Sequence, residues 1–108
     1  MEIKIDVSGQ TMLLLHNCQK YIAPSSNNFI KLAFILSSDW DGLNVSAHFI
    51  QDGKIYKQDL DVQNKCTLPS EITTGSFEIA LYGKSDKKRI GTSKCVDFVV
   101  LDSLYIDT

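Results

Sequence analysis

The sequence lacks the long apolar runs and the basic surface charge that mark membrane and nucleic-acid-binding proteins. No stretch of the 108 residues approaches the ~18 apolar residues of a membrane-spanning helix. The N-terminal MEIKIDV lacks the basic start and apolar core of a signal peptide. The net charge of −2 gives no electrostatic reason to bind nucleic acid or an anionic membrane. We therefore expect a single domain that binds neither nucleic acid nor a membrane, and that is kept in the cytosol or leaves it by a route other than secretion.

Cysteine is scarce, and the spacing of the cysteines forms no known pairing motif. The three cysteines, Cys18, Cys66 and Cys95, are an odd number, and no C-x-x-C motif is present. This pattern argues against both a disulfide framework and a zinc site. We expect three free thiols and no bound cofactor.

Helical periodicity is also missing, and short strand-like segments take its place. No window of about 11 residues keeps apolar side chains at i, i+3, i+4 and i+7. Short alternating segments, separated by turn residues, instead predict an all-β domain, either a sandwich or a small barrel. The nine predicted strands span residues 2–7, 11–15, 30–36, 44–51, 54–60, 65–68, 76–82, 88–92 and 94–101.

The clearest local signal is a hairpin in HFIQDGKIYKQDL. Asp52-Gly53 favours a type I′ turn, which pairs Ile50 with Ile55 and Phe49 with Tyr56. This register places Ile50 and Ile55 on the outer face of the sheet. We interpret the pair as a partner contact, with an ordinary scattered surface pair as the equal alternative. The core face carries Val45, Ala47, Phe49, Tyr56 and Leu60.

Alternation in the other strands completes the predicted core. SFEIALYGK turns Phe77 inward and Tyr82 outward, and the nearly continuous KLAFIL predicts a central strand. The aromatic side chains assigned to the core are Trp40, Phe34, Phe49, Tyr56, Phe77 and Phe98. After a domain of residues 1–101, the tail 102–108 carries Leu104, Tyr105 and Ile106, which predict an edge strand or a docking segment.

The motif SDWDG raises the question of chemistry, because Asp39 and Asp41 flank the single tryptophan. Two carboxylates beside an indole are typical of a glycosidase, but these adjacent loop aspartates have no evident device that raises one pKa. A calcium site with Asp52 lacks the D-x-[DN]-x-[DN]-G spacing. We expect instead that Trp40 closes one end of a β-core.

The remaining catalytic motifs are weak. His16 and His48 are far apart in sequence, and no G-x-S-x-G nucleophile elbow is present. GKSDKKRIGT contains the letters GKS but lacks the earlier glycine of a phosphate-binding loop. We expect its basic residues to lie at a hairpin tip, with a weak contact to polysaccharide, nucleic acid or an acidic protein surface as the minor alternative; they are Lys84, Lys87, Lys88 and Arg89. We expect no catalytic residues and no metal ligands.

The order of motifs, taken together, resembles a known family. The chain reads KLAFILSSDWDGLNVSAHFIQDGKIYKQDL, then NKCTLPSEI, then GSFEIALYGKSDKKRIGTSKCVDFVV. This resembles the immunoglobulin-like module in baseplate and minor tail structural proteins of phages and prophages that infect Gram-positive bacteria. The likeness covers roughly residues 30–100. The matching positions are Trp40 and Gly42; Phe49, Gly53 and Tyr56; Cys66, Pro69, Glu71 and Ile72; Phe77 to Gly83; and Thr92 with Val96 to Val100.

The resemblance implies an immunoglobulin-like antiparallel β-sandwich of about seven to nine strands. It also implies a non-enzymatic virion protein, assembled in the host cytoplasm, that forms homo-oligomers and binds other tail, baseplate or capsid proteins. Because the chain ends soon after the module, a small accessory or decoration protein is expected. The alternative is a carbohydrate-binding β-sandwich that recognises bacterial surface glycans through Tyr21, Tyr82 or Trp40.

Overall fold

Ten strands form in the residues that the structure, a computed structural model, describes: 2–14, 21–22, 30–73, 75–92 and 96–100. A short 3-10 helix, Ser38–Trp40, follows the fourth strand. Within these ranges no helix is long and apolar enough to cross a membrane. The strands are β1 (Glu2–Ser8), β2 (Thr11–Leu14), β3 (Tyr21–Ile22), β4 (Lys31–Leu36), β5 (Asn44–Gln51), β6 (Lys54–Asp59), β7 (Lys65–Thr67), β8 (Gly75–Lys84), β9 (Arg89–Gly91) and β10 (Val96–Val100).

The strands pair into two sheets, which confirms the prediction of an all-β sandwich. One sheet has four strands in the order β2-β1-β4-β7, so the continuous apolar strand β4 is internal, as predicted. The other has six strands in the order β3-β10-β8-β5-β6, with β9 paired to β8. The neighbours β10, β8, β5 and β6 have the order of the G, F, C and C′ strands in a variable-type immunoglobulin sheet.

Two pairs of strands differ from a purely antiparallel arrangement. β1 runs parallel to β4, with Glu2 opposite Lys31 and Val7 opposite Leu36. β3 runs parallel to β10 and falls between the predicted strands 11–15 and 30–36, where the sequence predicts no strand. A two-residue strand is too short to show alternation, and parallel partners joined by long connections leave no local turn signal.

The β5–β6 hairpin has the predicted register. Ile50 lies opposite Ile55 and Phe49 opposite Tyr56. Asp52 and Gly53 have φ angles of 52° and 77°, the positive values that a type I′ turn requires at both central positions. The turn therefore fixes which side chains of both strands face the other sheet.

The core lies between the sheets and is closed at one end by the tryptophan. Tyr56 is half-buried and packs against this core, so it lies at its margin. The side chain of Phe98 and the predicted contact residues Leu104, Tyr105 and Ile106 fall outside the described residues. Fully or nearly fully buried are Ile3, Ile5, Val7, Leu32, Phe34, Trp40, Ala47, Phe49, Phe77, Ile79 and Leu81.

Candidate functional site

The DWDG segment forms a structural corner. The 3-10 helix turns the Trp40 side chain into the core, where it is 2% exposed, while Asp39 and Asp41 stay on the surface. The indole Nε1 donates a hydrogen bond to the Gly9 carbonyl at 2.9 Å, so its one polar atom is satisfied. A buried indole cannot serve as a stacking platform for a sugar.

Hydrogen bonds join three loops at this corner. The Gly9 amide donates to Ser37 Oγ at 3.0 Å, and Ser37 Oγ donates to a carboxylate oxygen of Asp39 at 3.1 Å. From the β8–β9 turn, Lys88 Nζ donates to the Asp39 carbonyl at 2.6 Å. The Asp39 carboxylate thus accepts a local bond that shapes the turn, a structural role for a residue considered above as a general acid.

A polar cleft lies on the outer face of the six-stranded sheet. Strands β5, β6 and β8 form it, because their register places Ser46 between Asp59 and Tyr82, and His48 beside Lys57. The cleft has a volume of about 570 Å³. Its lining combines polar and apolar side chains: Asn44, Val45, Ser46, His48, Lys57, Asp59, Leu60, Tyr82 and Lys84.

Ser46 and His48 form the floor of this cleft. Ser46 is 5% exposed, and its hydroxyl donates to the Tyr82 carbonyl at 3.5 Å. His48 Nε2 lies 3.4 Å from Ser46 Oγ, and the imidazole lies 6.2 Å from the Tyr82 ring, with 32° between the ring planes. In the described part of the chain no carboxylate is hydrogen-bonded to His48, so the orienting member of a Ser-His-Asp triad is missing there.

The electrostatics of the cleft favour a neutral imidazole. Burial lowers the pKa of His48 below its ordinary value of 6.5, and the positive charge of Lys57 lowers it further. Lys57 Nζ lies 3.9 Å from Asp59 Oδ1, and both side chains are largely exposed, so this ion pair is loose. The charged side chains that line the cleft are two lysines, Lys57 and Lys84, and one carboxylate, Asp59, so the lining carries a net positive charge.

The lowered pKa of His48 makes the fold sensitive to mild acid. As the pH falls through 6.5, the unfolded chain takes up a proton on His48 before the folded chain does, so folding stability falls and continues to fall until the folded-state pKa is passed. We expect the free energy of unfolding to drop between about pH 7 and pH 5, and to drop less in His48→Gln. Urea unfolding at several pH values measures this.

The carboxylates with shifted pKa values, Glu2 and Asp61, affect stability at lower pH and do not interfere with this test. A side-chain hydrogen bond from Lys65 lowers the pKa of Glu2, and the backbone amide of Lys65 lowers that of Asp61. Their contributions are present above the ordinary values of 4.5 and 3.8 and are lost as the pH falls below them. An equal pH 7 to 5 slope in wild type and His48→Gln would contradict the assignment to His48.

Exposed aliphatic side chains lie on the outer faces of both sheets. In the six-stranded sheet Ile55 is 64% exposed, and its partner Ile50 is half-buried. In the four-stranded sheet Leu13 is 65% and Ile35 50% exposed, and both lie opposite Asp6 in the ladder. Leu13 and Ile35 are not among the predicted contact residues. Their neighbours Met12 and Phe34 point into the core, and strand alternation then places Leu13 and Ile35 on the outer face.

Cys66 is a buried free thiol of the four-stranded sheet. Cys66 is buried in β7, and burial together with the charge of Asp61 raises the pKa of its thiol to about 12, so it stays protonated at neutral pH. Cys18 and Cys95 lie outside the described residues. Among the described residues no group of three or more His, Cys, Asp or Glu is placed to hold a metal ion.

The chain matches no protein-family model, no curated protein and no solved structure with which it was compared. The cleft and the two apolar surfaces are therefore the features from which a function can be proposed.

Proposed function

We propose that this protein is a non-enzymatic virion structural or accessory protein that acts through contacts with other proteins. The observation that carries the proposal is the presence of an aliphatic pair on each outer face: Leu13 and Ile35 are exposed on one sheet, and on the other the exposed Ile55 lies opposite the half-buried Ile50. Two apolar surfaces that face opposite ways suit a component that joins two neighbours in an assembly.

The motif resemblance to phage baseplate and minor tail modules supports the same role. Trp40 and the β5–β6 hairpin, which carry part of that resemblance, lie in the core and in the six-stranded sheet of the β-sandwich. The partners proposed on this basis are further copies of the chain and other tail, baseplate or capsid proteins, in a virion assembled in the host cytoplasm. The docking segment 102–108 lies outside the described residues and stays a prediction.

The sheet edges differ in their readiness to pair with another chain. β6, at the edge of the six-stranded sheet, carries Lys54 and Lys57, and lysine on an edge strand opposes strand addition. β2, at the edge of the four-stranded sheet, reads TMLL and carries no charge. We infer that contacts extending a sheet use β2, and that Leu13 on this strand adds side-chain contact.

Sedimentation equilibrium of the full chain tests the proposal. We expect the wild-type protein to self-associate with rising concentration, and Leu13→Ser or Ile55→Ser to shift it toward monomer. Burying one such side chain contributes about 1.5–3 kcal/mol, so each change weakens the association constant about tenfold or more.

Val62→Ser is the matched control. Val62 is fully exposed but lies in the turn between β6 and β7, outside the strands that carry the two surfaces, so its replacement is expected to leave association unchanged. A wild-type chain that stays monomeric at every concentration would overturn self-association. Equal weakening by all three substitutions would overturn the assignment to these two surfaces.

A further inference from the structure

We propose that the cleft on the six-stranded sheet is a binding site for an anionic saccharide unit, a sugar that carries a carboxylate or a phosphate group. This site is separate from the protein contacts proposed above, because it uses the polar part of the same face. Size, aromatic surface, charge and fixed polar groups each contribute to the inference.

The size of the cleft suits a small ligand. Its volume of about 570 Å³ lies within the range of small-molecule sites, roughly 300–1,000 Å³. Three neighbouring strands form it, and backbone ladders join β5 to both β6 and β8, so the side chains that line it project from a rigid surface.

Aromatic surface is available in the cleft and not at the tryptophan. Tyr82 is half-buried and lines the cleft, and the His48 imidazole lies beside it at a centroid distance of 6.2 Å. A ring of this kind combines an apolar face with a polar tip, which suits the C–H face and the hydroxyl groups of a sugar. Three aromatic residues were considered for glycan binding: Trp40 is buried, the side chain of Tyr21 lies outside the described residues, and Tyr82 is the one that this geometry supports.

The charge of the lining selects an acidic sugar over a neutral one. Lys84 forms no ion pair within the described residues, and the Lys57–Asp59 pair is loose at 3.9 Å with side chains 64% and 81% exposed. An ammonium group can therefore turn to a ligand carboxylate or phosphate at low cost. Asn44 and the Asp59 carboxylate remain for sugar hydroxyls.

The floor of the cleft supplies a defined acceptor. Because the Ser46 hydroxyl donates to the Tyr82 carbonyl, its oxygen is left to accept a hydrogen bond from the N–H group at His48 Nε2. The unprotonated ring nitrogen is then Nδ1, an acceptor for a ligand hydroxyl. Burial lowers the pKa of this imidazole and Lys57 lowers it further, so the ring is neutral at pH 7, and a bound anion would raise its pKa again.

NMR titration of the full chain tests this site with His48 as the reporter. The probes are glucuronate, glucose 1-phosphate, glucose and inorganic phosphate, each added to wild type and to Lys84→Gln. The control variant is Lys87→Gln, which removes an exposed lysine from the β8–β9 turn outside the cleft lining.

The expected result is a saturable shift of the His48 imidazole and Tyr82 ring signals with at least one acidic sugar, together with a rise in the His48 pKa. Lys84→Gln should weaken that binding roughly tenfold, and Lys87→Gln should leave it unchanged. A response to glucuronate indicates a sugar that carries a carboxylate, and a response to glucose 1-phosphate indicates a phosphorylated sugar.

Three results would overturn the proposal. They are the absence of a saturable shift with either acidic sugar, equally strong binding of glucose, and equally strong binding of inorganic phosphate. Failure here leaves the self-association result untouched, because the two experiments change different side chains and read different signals.

Discussion

Trp40→Ala is expected to lower the free energy of unfolding by about 3–5 kcal/mol, the range for removing a large aromatic side chain from a core. The indole is 2% exposed and fills the end of the sandwich, so the alanine variant leaves a cavity there. It also removes the Nε1 donor and leaves the Gly9 carbonyl, which accepted it at 2.9 Å, without that partner. The lost hydrogen bond acts on the turn that joins β1 to β2.

Urea unfolding followed by circular dichroism measures this change, since the variant has lost its fluorophore. Trp40→Phe is the informative companion, because it keeps an aromatic ring but removes Nε1 and part of the volume. The free energy of unfolding of Trp40→Phe should lie between those of the wild type and Trp40→Ala. A cost below about 1 kcal/mol for Trp40→Ala would contradict the role of the indole as the closing element of the core.

The sequence predicts those parts of the fold that depend only on interactions between residues close together in the chain. The Asp52-Gly53 turn fixes the β5–β6 register without help from the rest of the chain, since both positions adopt the positive φ that the turn requires. Alternation in β8 likewise predicts that Phe77 faces inward and Tyr82 outward, as observed. In both cases the deciding interaction lies within one strand or one tight turn.

Pairings between distant segments carry no such signal. The parallel ladder of β1 and β4 joins residues about 29 positions apart, from Glu2 with Lys31 to Val7 with Leu36. The bond from Trp40 to the Gly9 carbonyl spans a separation of 31. A burial pattern specifies which face of a strand is apolar but not which neighbour lies beside it, so neither contact could be predicted.

The cleft was half predictable for the same reason. The hairpin register places Ser46, His48, Lys57 and Asp59 on one outer face from sequence alone. The cleft also needs Tyr82 and Lys84, which reach it only because β8 pairs with the other side of β5. The pairing of β5 with β8 joins distant segments and has no local sequence signal. The sequence therefore predicts the polar face of the hairpin but not the cleft.

Gly83→Ala is expected to cost about 1–3 kcal/mol of folding stability through overpacking against the same tryptophan. A Cβ at position 83 would lie 3.0 Å from Cε3 and Cζ3 of Trp40 and 3.2 Å from Cδ1 of Leu43. Most real Cβ contacts are longer, and the buried indole is held by its bond to Gly9, so we expect that a small shift of this side chain does not relieve the strain.

Gly91→Ala is the matched control for this prediction. Gly91 lies in β9, directly beside β8, and a Cβ there would lie 3.7 Å from its nearest neighbours, an ordinary contact distance. Neither glycine has a positive φ, so alanine costs neither of them backbone strain, and Gly91→Ala should be neutral or slightly stabilising. The pair of variants therefore isolates the contact with the indole from the general effect of a methyl group in a strand.

A double-mutant cycle with Trp40→Phe assigns the strain to the indole itself. Phenylalanine is smaller than the indole, so Gly83→Ala should cost less on the Trp40→Phe background than in wild type, and the two costs should not add. Additive costs would place the strain elsewhere, for instance at Leu43. Sub-additive costs would show that the absence of a side chain at position 83 is what allows Trp40 to lie flat against β8 and close the sandwich.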